Sequence, residues 1–509
     1  MLGPTWNSFP RMPSVDGWRP DVCGIAGFFD FTHGGSVEIL DAMADVLEHR
    51  GPDDRGVLLH TVATAQVGLG HRRLSIIDLR PEASQPMRKG NQAIVFNGEI
   101  YNYVEVRNDL LALGYEFTST SDTEVLLHAF AEWGPACVHR LIGMFAFVIV
   151  DVANGVAYLV RDRAGVKPLY VHHDSRRLLF ASESKALRQH PAFQPELNVE
   201  AFSRYFDYGV VPGSMSIYDG VEQVPPGSWL ELDLETGQAE VHRYWSLDTF
   251  YASDRLDLDY DEALERFSEL FQSSARYRMV ADVPVGLFLS GGYDSTAVLA
   301  SLVQDAEAPI KAFTIGFEVG NNELPQATQI ARHLGAEHHG YVCTEHDARS
   351  IISELPDIYD EPFADSSAIP TTLVSRFAAR HVKVALSADG GDELMFGYTS
   401  YAKLGRRMAR LSRLPKRSRR WIGEALHAVT SLVPATAVRR RHMLEGLAAS
   451  LHHDDAHMGL SLHVLARQLP RSYAKALFRG FVQAETESTL FTNHALGPID
   501  QAAAWDYAN

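Results

Sequence analysis

The stretch Val283 to Val303, VPVGLFLSGGYDSTAVLASLV, decides how the 509-residue chain is read. A short apolar run breaks at Ser290-Gly291-Gly292, and an apolar-periodic segment resumes after Asp294-Ser295. The pattern predicts strand, tight loop and helix. Two glycines let a backbone approach a phosphate closely, and loop N–H groups beside a helix N-terminus favour an anion. A Walker loop is excluded, because no Gly-Lys-Ser/Thr follows at the required spacing.

Moving outward, strands and helices alternate from about Tyr260. A helix over 261–278 precedes the loop. After it come a strand at Lys311–Phe317, a helix from about Leu324 and a strand at 382–386. This alternation predicts a parallel sheet with ligands at the strand C-termini. The last strand runs into Ser387-Ala388-Asp389-Gly390-Gly391-Asp392-Glu393. Three carboxylates around two glycines require a partner, and a magnesium ion on ATP phosphates supplies one. A second acidic loop, Asp360 to Ser367, either contacts pyrophosphate or the acceptor, or simply turns the chain. The basic stretch from Lys403 to Arg420 reads as a solvated helix face rather than a nucleic-acid site.

Upstream, Cys23 opens CGIAGFFDF, whose Gly24 and Gly27 bracket a short apolar strand. Then come a helix over 37–48, His49-Arg50-Gly51-Pro52-Asp53-Asp54, Gly70-His71-Arg72-Arg73-Leu74-Ser75, a strand at Ala93–Phe96 leading to Asn97-Gly98-Glu99, and Ser121-Asp122-Thr123-Glu124. Buried strands are predicted at 144–151 and 156–160, followed by Arg161 to Tyr170 and Ser182 to Leu187. Taken alone, Asn97-Gly98 suggests a hairpin turn and Asp122 a helix cap.

The length exceeds one ordinary core, so two or more domains are expected. A net charge of -18 argues against nucleic acid or an anionic membrane as the main partner. No apolar run is long enough for a membrane span. Three scattered cysteines suit a reducing cytoplasm and lack zinc spacing.

Together these segments resemble the glutamine-hydrolysing asparagine synthetases, in which a class II glutamine amidotransferase is fused to an ATP-pyrophosphatase-type synthetase. The resemblance implies an α/β protein: a four-layer α/β/β/α N-terminal nucleophile hydrolase domain (residues 23–240), a linker (241–260) and a parallel-sheet synthetase domain (261–509). Cys23 would be the nucleophile, with its free α-amine moving the proton. Asn97 and Gly98 would form the oxyanion hole, and Arg73, Glu99 and Asp122 would bind glutamine. Leu289, Ser290, Gly291, Gly292, Asp294, Ser295, Ile315, Ser387 and Ala388 would bind ATP, Asp294 and Asp392 would hold Mg²⁺, and Asp389 would take the catalytic acidic position. Ala388 replaces a usual glycine, and Ala164 and Ser184 replace larger apolar residues facing the synthetase half.

Implied partners are glutamine, ATP and a carboxylate acceptor; a homodimer is the assembly expected. Aspartate is the default acceptor, whereas Tyr293, where leucine is usual, resembles homologues that amidate sugar acids for surface polysaccharides. Residues 1–22 are expected to be absent from or removed in the mature protein, with Val22 standing where an initiator methionine would. The region beyond Tyr401 is expected to be cut short, which leaves an incomplete subunit of a split synthetase as a further reading.

Overall fold

The computed structural model describes residues 23–451, apart from 255, 319, 321, 431, 434–442, 445 and 449. The expectations for the leader, and those for the chain beyond 451, lie outside the described residues.

Twelve strands build the first half: β1 (Gly24–Asp30), β2 (Asp54–Val62), β3 (Ala65–Arg73), β4 (Met87–Lys89), β5 (Gln92–Ile100), β6 (Gly143–Asp151), β7 (Val156–Arg161), β8 (Tyr170–His173), β9 (Arg177–Ala181), β10 (Val221–Gln223), β11 (Ser228–Asp233) and β12 (Ala239–Arg243). They form two antiparallel sheets, ordered β10-β8-β9-β1-β3-β2 and β12-β11-β7-β6-β5-β4. Strand alternation explains the stacking. On β1, Ile25 and Phe29 point into the inter-sheet core with Leu69, Val95, Val148 and Leu159. Ala26 and Phe28 point outward, beneath Leu40 and Met43 of the helix Val37–Asp45. On the far side Phe96, Phe147 and Ile149 pack under the helices Tyr103–Ala112 and Asp122–Trp133. The result is four layers, α/β/β/α, as the resemblance implies. Every residue of β1 is buried, and each buried Phe or Ile contributes about 1.5–3 kcal/mol.

The second half contains a parallel sheet of β13 (Val285–Phe288), β14 (Lys311–Phe317), β15 (Glu337–Cys343) and β16 (Val384–Leu386), ordered β15-β14-β13-β16. Leu287, Leu299, Ala312, Ala327 and Ala331 form its core on one face, and Phe313, Tyr341, Leu373 and Phe377 on the other. The two phosphate-loop candidates therefore follow adjacent strands, β13 and β16. Most of the basic stretch is exposed, as read, but Arg419 is buried.

The acidic loop at 360–367 joins the halves. Asp360 accepts hydrogen bonds from the Ser184 and Lys185 amides, and Glu361 accepts from Ser216 Oγ and Ile217 N at 2.6 and 2.9 Å. Ala364 N donates to Gly209 O at 2.8 Å. Of the roles open to this loop, the contacts seen are with the amidotransferase half.

Candidate active sites

Cys23 stands immediately before β1, beside the loop that leaves β3. Its Sγ lies 3.4 Å from Leu74 N and 3.5 Å from Leu74 O. The Arg50 Nε donates to Cys23 O at 3.1 Å. Arg50 and His49 are in turn held by the buried carboxylate of Glu183. Burial alone would raise the Glu183 carboxyl, but His49, Arg50 and Lys185 outweigh it and hold it below the usual range.

A cavity of about 280 Å³ opens from the thiol, and Arg73, Asn97, Gly98, Glu99, Asp122 and Lys167 are among its lining residues. The hairpin turn that Asn97-Gly98 suggests when taken alone does not form. β5 continues to Ile100, with Asn97 opposite Ala146 and Gly98 opposite Phe145. A Cβ on Gly98 would stand 2.2 Å from Met144 O, so the strand pair closes only around glycine. Asn97 is fully buried, and neither its Oδ1 nor its Nδ2 has a hydrogen-bond partner among the described residues. Leaving such an amide unpaired costs about 1–3 kcal/mol, which a ligand oxygen could recover.

The Arg73 guanidinium is fixed from behind by the carbonyls of Ile77, Asp78 and Arg80. Opposite it sits Asp122, the first residue of its helix, whose N-cap is Ser121. Burial pushes the Asp122 carboxyl up to about 6 against the pull of the Ile100 and Thr123 amides. Burial and the Asp122 charge push Glu99 up to about 7. Burial also raises the Cys23 thiol, opposed by the Leu74 amide, Lys167 and Arg73. One pocket thus holds a thiol, a guanidinium, two raised carboxyls and an unpaired amide.

In the second half, Ser290 Oγ and Ser295 Oγ lie 3.0 Å apart, and Ser290 Oγ accepts from Gly292 N at 3.2 Å. Gly291 takes φ +83, and its carbonyl is held by Gln326 Nε2 at 2.8 Å. The helix Tyr293–Leu302 starts at Gly292 without a side-chain cap, so its first N–H groups are available to an anion. Leu289 is buried and tied to Phe313 O and Thr314 Oγ1, which fixes the strand end. Ile315 lies on β14 beside β13.

The loop after β16 closes on this one. A Cβ at Gly391 would approach Asp294 Oδ2 to 2.9 Å, and Asp392 is raised by burial and by the Asp294 and Glu393 charges. Asp389 and Ser387 are exposed, and Ala388 is half-buried. Among the described residues no group of three or more His, Cys, Asp or Glu forms a metal site. Two carboxylates brought together fit a divalent ion that would take its remaining ligands from phosphate and water.

Lys167, Asp53 and Lys383 were not singled out from sequence. Lys167 lies within the Arg161–Tyr170 segment, whose place in the resemblance is the signal available. The last two meet only through the fold, across the boundary between the halves.

Family comparison covers both halves of the chain. A glutamine amidotransferase domain matches residues 22–245, and an asparagine synthase domain matches 266–502. A Methanocaldococcus jannaschii protein provisionally named a glutamine-hydrolysing asparagine synthetase is 34% identical over 414 residues, 78% of this chain and 79% of its own. The Bacillus subtilis asparagine synthetase (glutamine-hydrolysing) 1 is 36% identical over 391 residues, 75% of this chain and 59% of its own. A Gibberella zeae amidase is 31% identical over 417 residues, 75% of this chain and 60% of its own. A solved B. subtilis glutamine phosphoribosylpyrophosphate amidotransferase covers 63% of this chain and 81% of its own at 17% identity, with a TM-score of 0.33. No described helix is long and apolar enough to cross a membrane. The chain belongs to the glutamine-hydrolysing asparagine synthetase family.

Proposed function

We propose that this chain hydrolyses glutamine at Cys23 and passes the ammonia to a carboxylate activated by ATP, giving an amide, glutamate, AMP and pyrophosphate. The observation that carries the first half is the fully buried, unpartnered Asn97 amide in the thiol's cavity. A ground-state protein gains nothing from leaving that group unpaired, whereas an oxyanion forming on the substrate would satisfy it. Glutamine enters with its carboxylate on Arg73 and its ammonium between Asp122 and Glu99. The Cys23 sulfur attacks the carboxamide carbon, and Asn97 Nδ2 with the Gly98 N–H stabilises the tetrahedral oxygen. Ammonia leaves, and water hydrolyses the thioester to glutamate. In a chain beginning at Cys23 the residue's own α-amine shuttles the proton.

For the second half, Ser290, Gly291, Gly292 and Ser295 cradle the pyrophosphate portion of ATP. Asp294 and Asp392 would hold Mg²⁺, which shields phosphate charge when bound. The acceptor's carboxylate attacks the α-phosphorus and expels pyrophosphate, ammonia then displaces AMP from the acyl-adenylate, and Asp389 is the acid–base candidate. Leu289, Ile315, Ser387 and Ala388 border the nucleotide.

Aspartate is the proposed acceptor. Tyr293 favours a second reading, a sugar acid, since its side chain is 96% exposed beside Asp294 and free to meet a larger acceptor. Incubation with glutamine, MgATP and each acid in turn, following pyrophosphate, separates the two. Release only with aspartate supports the first; release only with sugar acids supports the second. No release with any acid, despite glutamate formation, rejects both.

A further inference from the structure

Lys167 is 7% exposed and lines the same cavity as Cys23, Glu99 and Asp122. Its position is imposed by the backbone on both sides. Asp162 Oδ1 accepts from the Ala164 and Val166 amides at 3.0 and 3.0 Å, and Asp162 Oδ2 accepts from the Lys167 and Phe145 amides at 3.0 and 3.1 Å. The Arg161 guanidinium, itself buried, donates to the carbonyls of Lys167, Val224 and Gly165 at 2.9, 2.9 and 2.8 Å. One turn is therefore locked by seven hydrogen bonds, and its lysine projects into the glutaminase cavity. Neither its ammonium nor the Glu99 carboxylate has a hydrogen-bond partner or ion pair among the described residues.

Burial disfavours a charged lysine, and negative groups nearby favour it. Burial pushes Lys167 down and Arg50 adds to it, while Glu99, Cys23 and Asp162 favour the ammonium. The charged groups facing the cavity are Arg73 from β3, Glu99 from β5, Asp122 from its helix and Lys383 from the segment before β16, with Arg50 behind Cys23. Arg73 is committed to the 77–80 carbonyls on one side and, in the proposed reaction, to substrate on the other. Lys383 is committed to Asp53 Oδ2 at 2.6 Å. Lys167 is the cavity cation left to balance a negative sulfur.

Resting on the glutaminase reading above, we propose that Lys167 is the fixed cation of this pocket, a positioning residue that favours negative charge on the Cys23 sulfur and on the Glu99 carboxyl while glutamine binds.

The test is the pH dependence of Cys23 alkylation by iodoacetamide in the full chain, read peptide by peptide by mass spectrometry, beside glutaminase kinetics. Lys167→Met should move the alkylation midpoint up by about one pH unit and slow the reaction about tenfold below it. It should lower glutaminase kcat by about the same factor, with the glutamine KM changed less than threefold. Lys167→Arg should restore both, which also controls for folding. An alkylation profile in Lys167→Met that superimposes on wild type overturns the proposal. So does a raised KM with kcat unchanged, which would make Lys167 a substrate contact instead. A shifted alkylation profile in a wild-type chain that does not hydrolyse glutamine would uphold this inference and reject the reading on which it rests.

Discussion

Lys383, the residue before β16, places its Nζ 2.6 Å from Asp53 Oδ2 in the amidotransferase half, and the same oxygen accepts from Ser75 N at 2.7 Å. Lys383 also lines the cavity that contains Cys23. Asp282, three residues before β13, holds the same loop through Asp78 N at 2.8 Å and Ile76 O at 2.9 Å. The two strands that end in the phosphate loops thus begin at the loop behind Arg73. Both charges of the Lys383–Asp53 pair are about a third exposed, so its contribution is about 0.2–1 kcal/mol. Lys383→Met and Asp53→Asn should each raise the glutamine KM by less than about fivefold, and the double variant should cost no more than the larger single. Glutaminase kinetics on the three variants measure this; additive effects would mean that the two side chains act separately.

In the proposed reaction the Asn97 amide carries the oxyanion role, and its replacement has an unusual expected signature. Asn97→Ala should lower glutaminase kcat by about 10²–10³-fold. It removes two buried polar atoms that have no partner among the described residues, so the melting temperature should hold or rise. A large drop in stability, seen by calorimetry, would mean that Asn97 is a structural residue.

Glutamine binding should depend on pH through Asp122 and Glu99. Both are raised, to about 6 and about 7, and both must be ionised to receive an ammonium. The glutamine KM should therefore climb as pH falls from 8 to 6. Stability runs the other way. The folded chain keeps protons on these acids that the unfolded chain, with ordinary values of 3.8 and 4.5, has released. Their contribution thus weakens the fold as pH rises from about 4 to about 7 and is constant above. Asp122→Asn should flatten part of both trends, and a KM independent of pH in the wild type would remove these residues from the site.

Asp294 and Asp392 repel one another while no cation lies between them. Asp392→Asn should leave the free protein as stable as wild type or more so. It should also abolish most of the thermal stabilisation given by MgATP, which for a ligand at 100 times its Kd is about 2.7 kcal/mol. An unchanged MgATP shift in a thermal melt would place the metal elsewhere.

Much of this was legible in the sequence. Strand alternation around Phe28 and Phe29 leads directly to two buried faces and so to layered sheets. SGGYDS and SADGGDE sit at adjacent strand ends because a parallel βαβ order puts them there. Legibility fails where a residue's surroundings come from distant segments. Asn97-Gly98 reads locally as a turn, but pairing with Ala146 and Phe145 on β6 keeps it extended. Asp360 reads as one of several loop carboxylates, and only the folded chain brings it to Ser184, 176 positions away. Lys167 lies in the Arg161–Tyr170 segment, yet nothing local marks it as lining the thiol's cavity; its burial follows from the cage formed by Arg161 and Asp162, whose reach no spacing rule encodes.

The most direct test of the whole account uses glutamine labelled with ¹⁵N in its amide, with MgATP and a panel of carboxylic acids that includes aspartate and sugar acids. The account predicts ¹⁵N in the amide of one acceptor, with glutamate and pyrophosphate formed one for one and pyrophosphate release dependent on that acceptor. Glutamate formed at full rate with no acceptor-dependent pyrophosphate, and no ¹⁵N amide from any acid, would contradict it.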